Sequence, residues 1–170
     1  MDLTVFDGMD EDQLKNYIGF LLWHYRVVDA FWFIYVNDVW GQENAERINE
    51  KVWSRVPEMG AQNLMQRFGI TEKGLHGFVK VLKLFPWTII VEYEFQENDN
   101  ELIITIPHCP TQEARLKRGL DEFVCKYMHM GEFKSIARAV DPAIKVECLF
   151  APPDEHPDEM FCKWKFTVDS

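Results

Sequence analysis

Apolar residues recur at three- and four-residue intervals along the first half of the chain and at two-residue intervals along much of the second. Asp10 followed by Gln13 has the form of a helix N-cap with its reciprocal partner. Leu14, Tyr17, Ile18, Leu21, Leu22, Tyr25 and Val28 then follow at helical spacing. This pattern predicts a long first helix that runs to Trp40 and is interrupted at Gly41. Ala45, Ile48, Val52 and Trp53 predict an amphipathic second helix ended by Pro57, and a third, short helix runs towards Gly69. Leu75, Phe78, Val79, Leu82 and Phe85 form the inner face of a fourth between Gly74 and Phe85, with Pro86 as its stop.

At Trp87 the period changes to two. Ile89, Val91, Tyr93 and Phe95 alternate with polar or outward positions, and Leu102, Ile104 and Ile106 resume the alternation after Glu97-Asn98-Asp99-Asn100. Folding this hairpin about Asn98 and Asp99 sets Phe95 opposite Leu102, Tyr93 opposite Ile104 and Val91 opposite Ile106, keeping both apolar sets on one face. Thr111 to Gly119 reads as a helix capped by Thr111, and Glu132 to Val140 as another closed by Asp141-Pro142. Ile144, Val146, Cys148 and Phe150 form one face of a last hairpin, with Cys162, Trp164, Phe166 and Val168 as its counterpart. The expected fold is therefore α+β: a helical N-terminal half packed on a four-stranded antiparallel sheet made of two hairpins flanking a helical segment. No repeat, linker or low-complexity tract divides residues 1–170, so one domain is expected, helical to about residue 86 and sheet-containing from residue 87.

Charge narrows the partners. With 28 acidic against 18 basic residues and a net charge of −10, the chain lacks the concentrated Lys and Arg that phosphate backbones require, so neither nucleic acid nor an anionic membrane is expected. The stretch Tyr17 to Val36 is apolar enough to imitate a membrane span. It holds His24, Arg26 and Asp29, however, and a central charge costs about 2.5–3.5 kcal/mol on insertion, so it reads as a buried core helix. No basic start, apolar run and cleavage site mark a secretory leader. A cytoplasmic, reducing setting is expected, where four cysteines serve as thiols, metal ligands or catalytic groups rather than as disulfides.

These cysteines are the main chemical candidates. A last hairpin folded symmetrically about Glu155 places Cys148 opposite Cys162, with Cβ atoms about 4.5–5.5 Å apart, near enough for two thiolates to share a metal ion. Two small apolar residues filling a core layer is the equally weighted alternative. Cys109 precedes the expected N-cap Thr111, where a helix N-terminus lowers a thiol pKa, and His108, Gln112 and Arg115 lie beside it in sequence. Cys125 falls in a stretch without a readable period. Cys109, Cys125, Cys148 and Cys162 together would suit zinc or an iron–sulfur centre, although no CxxC pair is present. His156, among prolines and acids, reads as an exposed loop residue.

The first helix carries a second constellation. His24, Arg26 and Asp29 interrupt an aromatic surface, and Arg26 and Asp29 stand at the i,i+3 spacing of an ion pair. Either that pair simply sits at the core, or His24 or Asp29 reaches into a pocket walled by Trp23, Phe31, Trp32, Tyr35 and Trp40.

The run from Trp23 to Phe33, the segment Cys109-Pro110-Thr111-Gln112-Glu113-Ala114-Arg115, and the ending Pro152 to Pro157 with Cys162-Lys163-Trp164-Lys165-Phe166 together resemble an uncharacterised prokaryotic family of unknown function. More distantly, the Cys-x-Trp-x-Phe strand resembles L-2-amino-thiazoline-4-carboxylate hydrolases and vinyl-reductase-like small-molecule-binding domains. That likeness implies a ligand pocket between helices and sheet, with Cys162 foremost. Three functions follow as expectations. One is a small-molecule binder with a cysteine-centred, metal-holding site. Another is a thiol-dependent hydrolase of a small C–N or C–S substrate, in which Cys109 or Cys162 attacks, His24 or His108 is the base, and Arg115 orients an anion. The last is a non-catalytic interaction domain with inert thiols.

Overall fold

The computed structural model describes residues 1–168, and the chain divides into two compact units, Met1–Ala45 and Glu46–Ser170. The first unit holds a short 3₁₀ turn, Thr4–Phe6, and the long helix α1, Glu11–Trp40. Asp10 and Gln13 form the expected capping box: the Gln13 N–H donates to Asp10 Oδ1 over 2.8 Å and the Asp10 N–H to Gln13 Oε1 over 3.0 Å. Gly41 ends the helix at φ 81°, a conformation that a side chain resists. The burial expected of this helix is not observed. Val36 is its one buried residue, and large apolar side chains stand in solvent from Leu14 to Trp40.

Helix α2, Gln42–Trp53, leads into the second unit, followed by α3 (Val56–Phe68), α4 (Gly74–Leu82) and α5 (Pro86–Val91). Strand β1 (Glu94–Glu97) and β2 (Glu101–Ile106) come next, then α6 (Pro110–Leu116), α7 (Lys126–Val140), β3 (Lys145–Phe150) and β4 (Cys162–Thr167). The sheet is antiparallel throughout in the order β1-β2-β4-β3, so the architecture is α+β with helices first, as the two periods predict. Leu102, Ile104 and Ile106 of β2 and Cys162, Trp164 and Phe166 of β4 alternate inward on the two central strands. They pack with Phe133, Ile136 and Val140 of α7 and Phe78, Val81 and Leu82 of α4 in one continuous core. Gly131 lets α7 approach the chain at Ser54, because a methyl group there would overlap the Ser54 hydroxyl. At Gly77 it would overlap the Glu72 carbonyl.

Several expected details shift, each for a local reason. Pro57 and Pro86 stand in the first turns of α3 and α5 instead of stopping α2 and α4, and Pro110 likewise opens α6 one residue ahead of Thr111. Proline has the helical φ already set, and its missing N–H costs nothing where no intrahelical acceptor exists. Residues 86–91 are consequently helical where alternation suggests strand: Thr88 and Val91 are buried three apart, and Ile89 between them is exposed. Helix α7 starts at Lys126, six residues before the expected start.

Both hairpins pair two residues out of the expected register. In the first, the Asn98 N–H donates to the Glu101 carbonyl over 2.8 Å, so the tip is Asp99-Asn100, one residue later than expected, and Phe95 faces Ile104. In the last, Cys148 faces Trp164 and Cys162 faces Ile106 of β2, with a register irregularity between Cys148 and Phe150. A two-residue slip leaves every side chain on its own face, which is why the alternation could not detect it.

Candidate functional site

Helices α6 and α7 begin at two of the cysteines. Cys109 occupies the N-cap position of α6, and its carbonyl accepts the Glu113 N–H over 2.9 Å. Cys125 occupies that of α7, and its carbonyl accepts the His129 N–H over 2.9 Å. Between them Gln112 is fully buried. Its Nε2 donates to the Phe123 carbonyl over 2.8 Å and to Cys125 Sγ over 3.5 Å, while its Oε1 accepts the Phe123 N–H over 2.7 Å. A carboxamide used three ways fixes the unpatterned stretch before α7 and holds Cys125 inward. Gln112, a candidate for ligand binding in the sequence, acts in the structure as a clamp on this stretch.

Cys162 points into the same interior from the start of β4. Cys109, Cys125 and Cys162 lie within electrostatic reach of one another, and the Tyr93 hydroxyl is within reach of all three and of Glu132. Cys148 is near Cys162 and Lys126. Cys148 thus neighbours Cys162 but not Cys109 or Cys125, and the direct Cys148–Cys162 pairing expected of the hairpin is replaced by a diagonal one.

Burial governs the chemistry of these thiols. It raises all four pKa values: Cys125 to well above the ordinary range, Cys162 to about 12, Cys148 to about 11, and Cys109 upward as well. At Cys109 the backbone N–H groups of Gln112 and Thr111 act in the lowering direction expected of a helix start, but desolvation outweighs them. Lys126 tempers Cys148 in the same way while its own Nζ is held by Asp154 over 2.7 and 2.9 Å. Neutral thiols are therefore the resting form. Among the described residues no group of three or more His, Cys, Asp or Glu side chains is disposed to hold a metal ion.

Four residues of this interior escape sequence reading. Glu132, buried in α7, has its Oε2 2.7 Å from His129 Nδ1, and Ser135 Oγ donates to the Glu132 carbonyl over 2.9 Å. The His129 ring stacks on Phe133 at 5.8 Å and meets Trp164 edge-on at 6.4 Å. The Trp164 indole N–H is fully buried; it steadies the Cys162 thiolate without the geometry of a full hydrogen bond. Tyr93 completes the set, its hydroxyl pKa raised by burial first and then by the Glu132 charge. His129 and Glu132 stand at i,i+3, a spacing that would have signalled the pair had α7 been extended back to Lys126.

The other candidates lie elsewhere. Trp23, His24, Asp29 and Trp32 belong to α1 in the first unit, where His24 stacks on Phe20 at 5.8 Å. Arg115 donates through Nε to the Asp121 carbonyl over 2.8 Å, and His108 is highly exposed, 3.6 Å from Glu113. His156 is not the exposed loop residue expected: its Nε2 lies 3.1 Å from both Glu122 oxygens and its Nδ1 lies 3.0 Å from the Pro157 carbonyl. An open depression of about 350 Å³ on α2, lined by Arg47, Glu50, Lys51, Ser54 and Arg55, contains no cysteine.

Residues 9–168 match the model of a family of unknown function, DUF6125, and the chain belongs to that family. No curated protein and no solved structure matches it. No helix among the described residues is long and apolar enough to cross a membrane.

Proposed function

We propose that residues 46–170 form a small-molecule-binding module whose ligand meets the buried thiols in their neutral form. The observation that carries this reading is the electrostatic proximity of Cys109, Cys125 and Cys162 to Tyr93, and of Glu132 to Tyr93 and Cys162, groups from four chain segments. Glu132 is the buried ionisable group among them, and burying a carboxyl beside a tyrosine and thiols is costly unless something uses it. Protonated thiols and aromatic rings suit an apolar or sulfur-containing ring, and the buried Glu132 carboxyl suits a donor nitrogen on it. A small heterocycle bearing an amino or amidine-like nitrogen is the class that fits, in keeping with the distant likeness of the Cys-x-Trp-x-Phe strand to aminothiazoline-carboxylate hydrolases.

The experiment is a thermal-shift and NMR titration with 2-amino-thiazoline-4-carboxylate and a panel of amino-substituted heterocycles. Binding that raises the melting temperature of the wild type, and is lost in Cys162→Phe and Glu132→Gln, supports the reading. Absence of any shift across the panel, or stoichiometric zinc or iron in anaerobically purified protein, overturns it.

The thiol-hydrolase reading keeps one observation of its own: Glu132 lies 2.7 Å from His129 Nδ1, and the His129 ring meets that of Trp164, two residues from Cys162 on β4. In this reading the Cys162 thiol, with a pKa of about 12, bonds to the substrate carbon as its proton passes to His129, which delivers that proton to the departing nitrogen or sulfur before water releases the group left on Cys162. Hydrolysis of 2-amino-thiazoline-4-carboxylate, abolished in both Cys162→Ser and His129→Gln, distinguishes this reading from binding alone.

A further inference from the structure

The exposed side of α1 has a period that its overall composition hides. Leu14, Leu21, Val28 and Tyr35 recur every seven residues, and Ile18, Tyr25, Trp32 and Val39 recur every seven in register between them. Spacings of four and three alternate without a break from residue 14 to residue 39, every position is apolar, and every one stands in solvent at 38–68% of its full area. At these exposures the eight side chains leave on the order of 800 Å² uncovered, the area that one partner of a stable interface buries. A heptad row of this kind winds slowly around a straight helix and stays covered only by another helix that winds with it.

That requirement selects the occupant. The row is 26 residues long, whereas the next longest helix of this chain, α7, has 15 residues and already gives its apolar face to the core of the second unit. The matching helix, in length and in spacing of knobs and holes, is α1 itself. The row also carries no charge, so identical helices meet along it without repulsion; Lys15 and Glu11, which flank it, pair with each other within one helix. We infer that the protein is a homodimer in which α1 of one copy pairs with α1 of a second along Leu14–Val39. This inference is independent of the ligand reading, since a monomer that binds heterocycles would leave that reading standing.

The test is sedimentation equilibrium of the full chain at micromolar concentration, with three variants. Wild type is expected at twice the chain mass. Val28→Asp and Tyr35→Ser, in the row, are expected at the monomer mass, with the cooperative near-ultraviolet melting transition of the second unit retained. Ala30→Asp, exposed on the same helix but off the row, is expected to remain dimeric. A monomeric wild type overturns the inference, as does a dimer that survives both row substitutions.

Discussion

Helix α1 and the face of the sheet formed by β2 and β4 are both crowded with aromatic and branched side chains, yet one stands in solvent and the other is sealed. Trp164, Phe166, Leu102 and Ile104 have no exposed area, whereas Trp23, Phe31, Tyr35 and Trp40 are half exposed or more. The difference lies in what each pattern can meet. Alternation at two confines apolar groups to one side of a sheet, which helices from the same chain cover. The α1 surface is apolar nearly all round, and its most regular feature is a row suited to an equal helix. Hydrophobicity states that a surface wants cover; periodicity states what can cover it.

The largest effect expected from this contrast is on stability. Trp164→Ala removes a fully buried indole between Phe133 and His129 and should cost about 3–5 kcal/mol, whereas Trp23→Ala, half exposed and off the heptad row, should cost under about 0.5 kcal/mol. Urea unfolding followed by circular dichroism compares them directly. Equal losses would mean that α1 is as sealed as the sheet.

Next come the devices that seal the second unit. Gly77→Ala would force a methyl group into the Glu72 backbone carbonyl and should cost about 1–3 kcal/mol, the range of an overpacked core. Gln112→Leu should cost a similar amount, about 1–3 kcal/mol, by stranding the Phe123 N–H and carbonyl. It should also speed alkylation of Cys125, which the clamp holds inward; an unchanged rate would show that burial alone protects the thiol.

A smaller effect concerns the thiols themselves. With a pKa near 11 against one near 12, Cys148 ionises ahead of Cys162, and both thiolate fractions rise with pH. Peptide mapping after N-ethylmaleimide treatment should find Cys148 labelled before Cys162, with the rate still climbing at pH 10. A plateau by pH 8 would mean that the site holds a thiolate.

The smallest effect is at His156. Burial opposes its protonation, but the Pro157 carbonyl and the Glu122 carboxylate outweigh burial and raise its pKa above the ordinary 6.5. The folded state therefore favours the charged ring. The contribution is fully present below about pH 6.5 and is lost as pH rises through the higher folded-state value. Being partly solvated, it should amount to less than about 1 kcal/mol, visible as a shallow fall in melting temperature over that interval that Glu122→Gln removes.

How much of this was legible follows from the range of each signal. The capping box at Asp10, the stop at Gly41, the left-handed Gly69 after α3 and the inward sets of the last two strands are all local, and each was readable from a few neighbouring residues. The prolines at 57 and 86 misled because proline ends one helix and begins another with the same ring, and only the following segment's burial decides which. Strand register misled because a slip of two preserves every face.

The sequence by itself determined the class of fold, most of its helices and strands and the confinement of cysteines to the second half, since these rest on periodicity and on backbone preferences acting within a few residues. Only the tertiary structure decided that Cys109, Cys125 and Cys162 share an interior with Tyr93, Glu132 and His129, that Gln112 is a clamp, and that α1 is exposed. Those facts depend on strand order, register and burial, which are set by contacts between residues far apart in the chain and leave no local trace in the pattern of hydrophobic and polar positions.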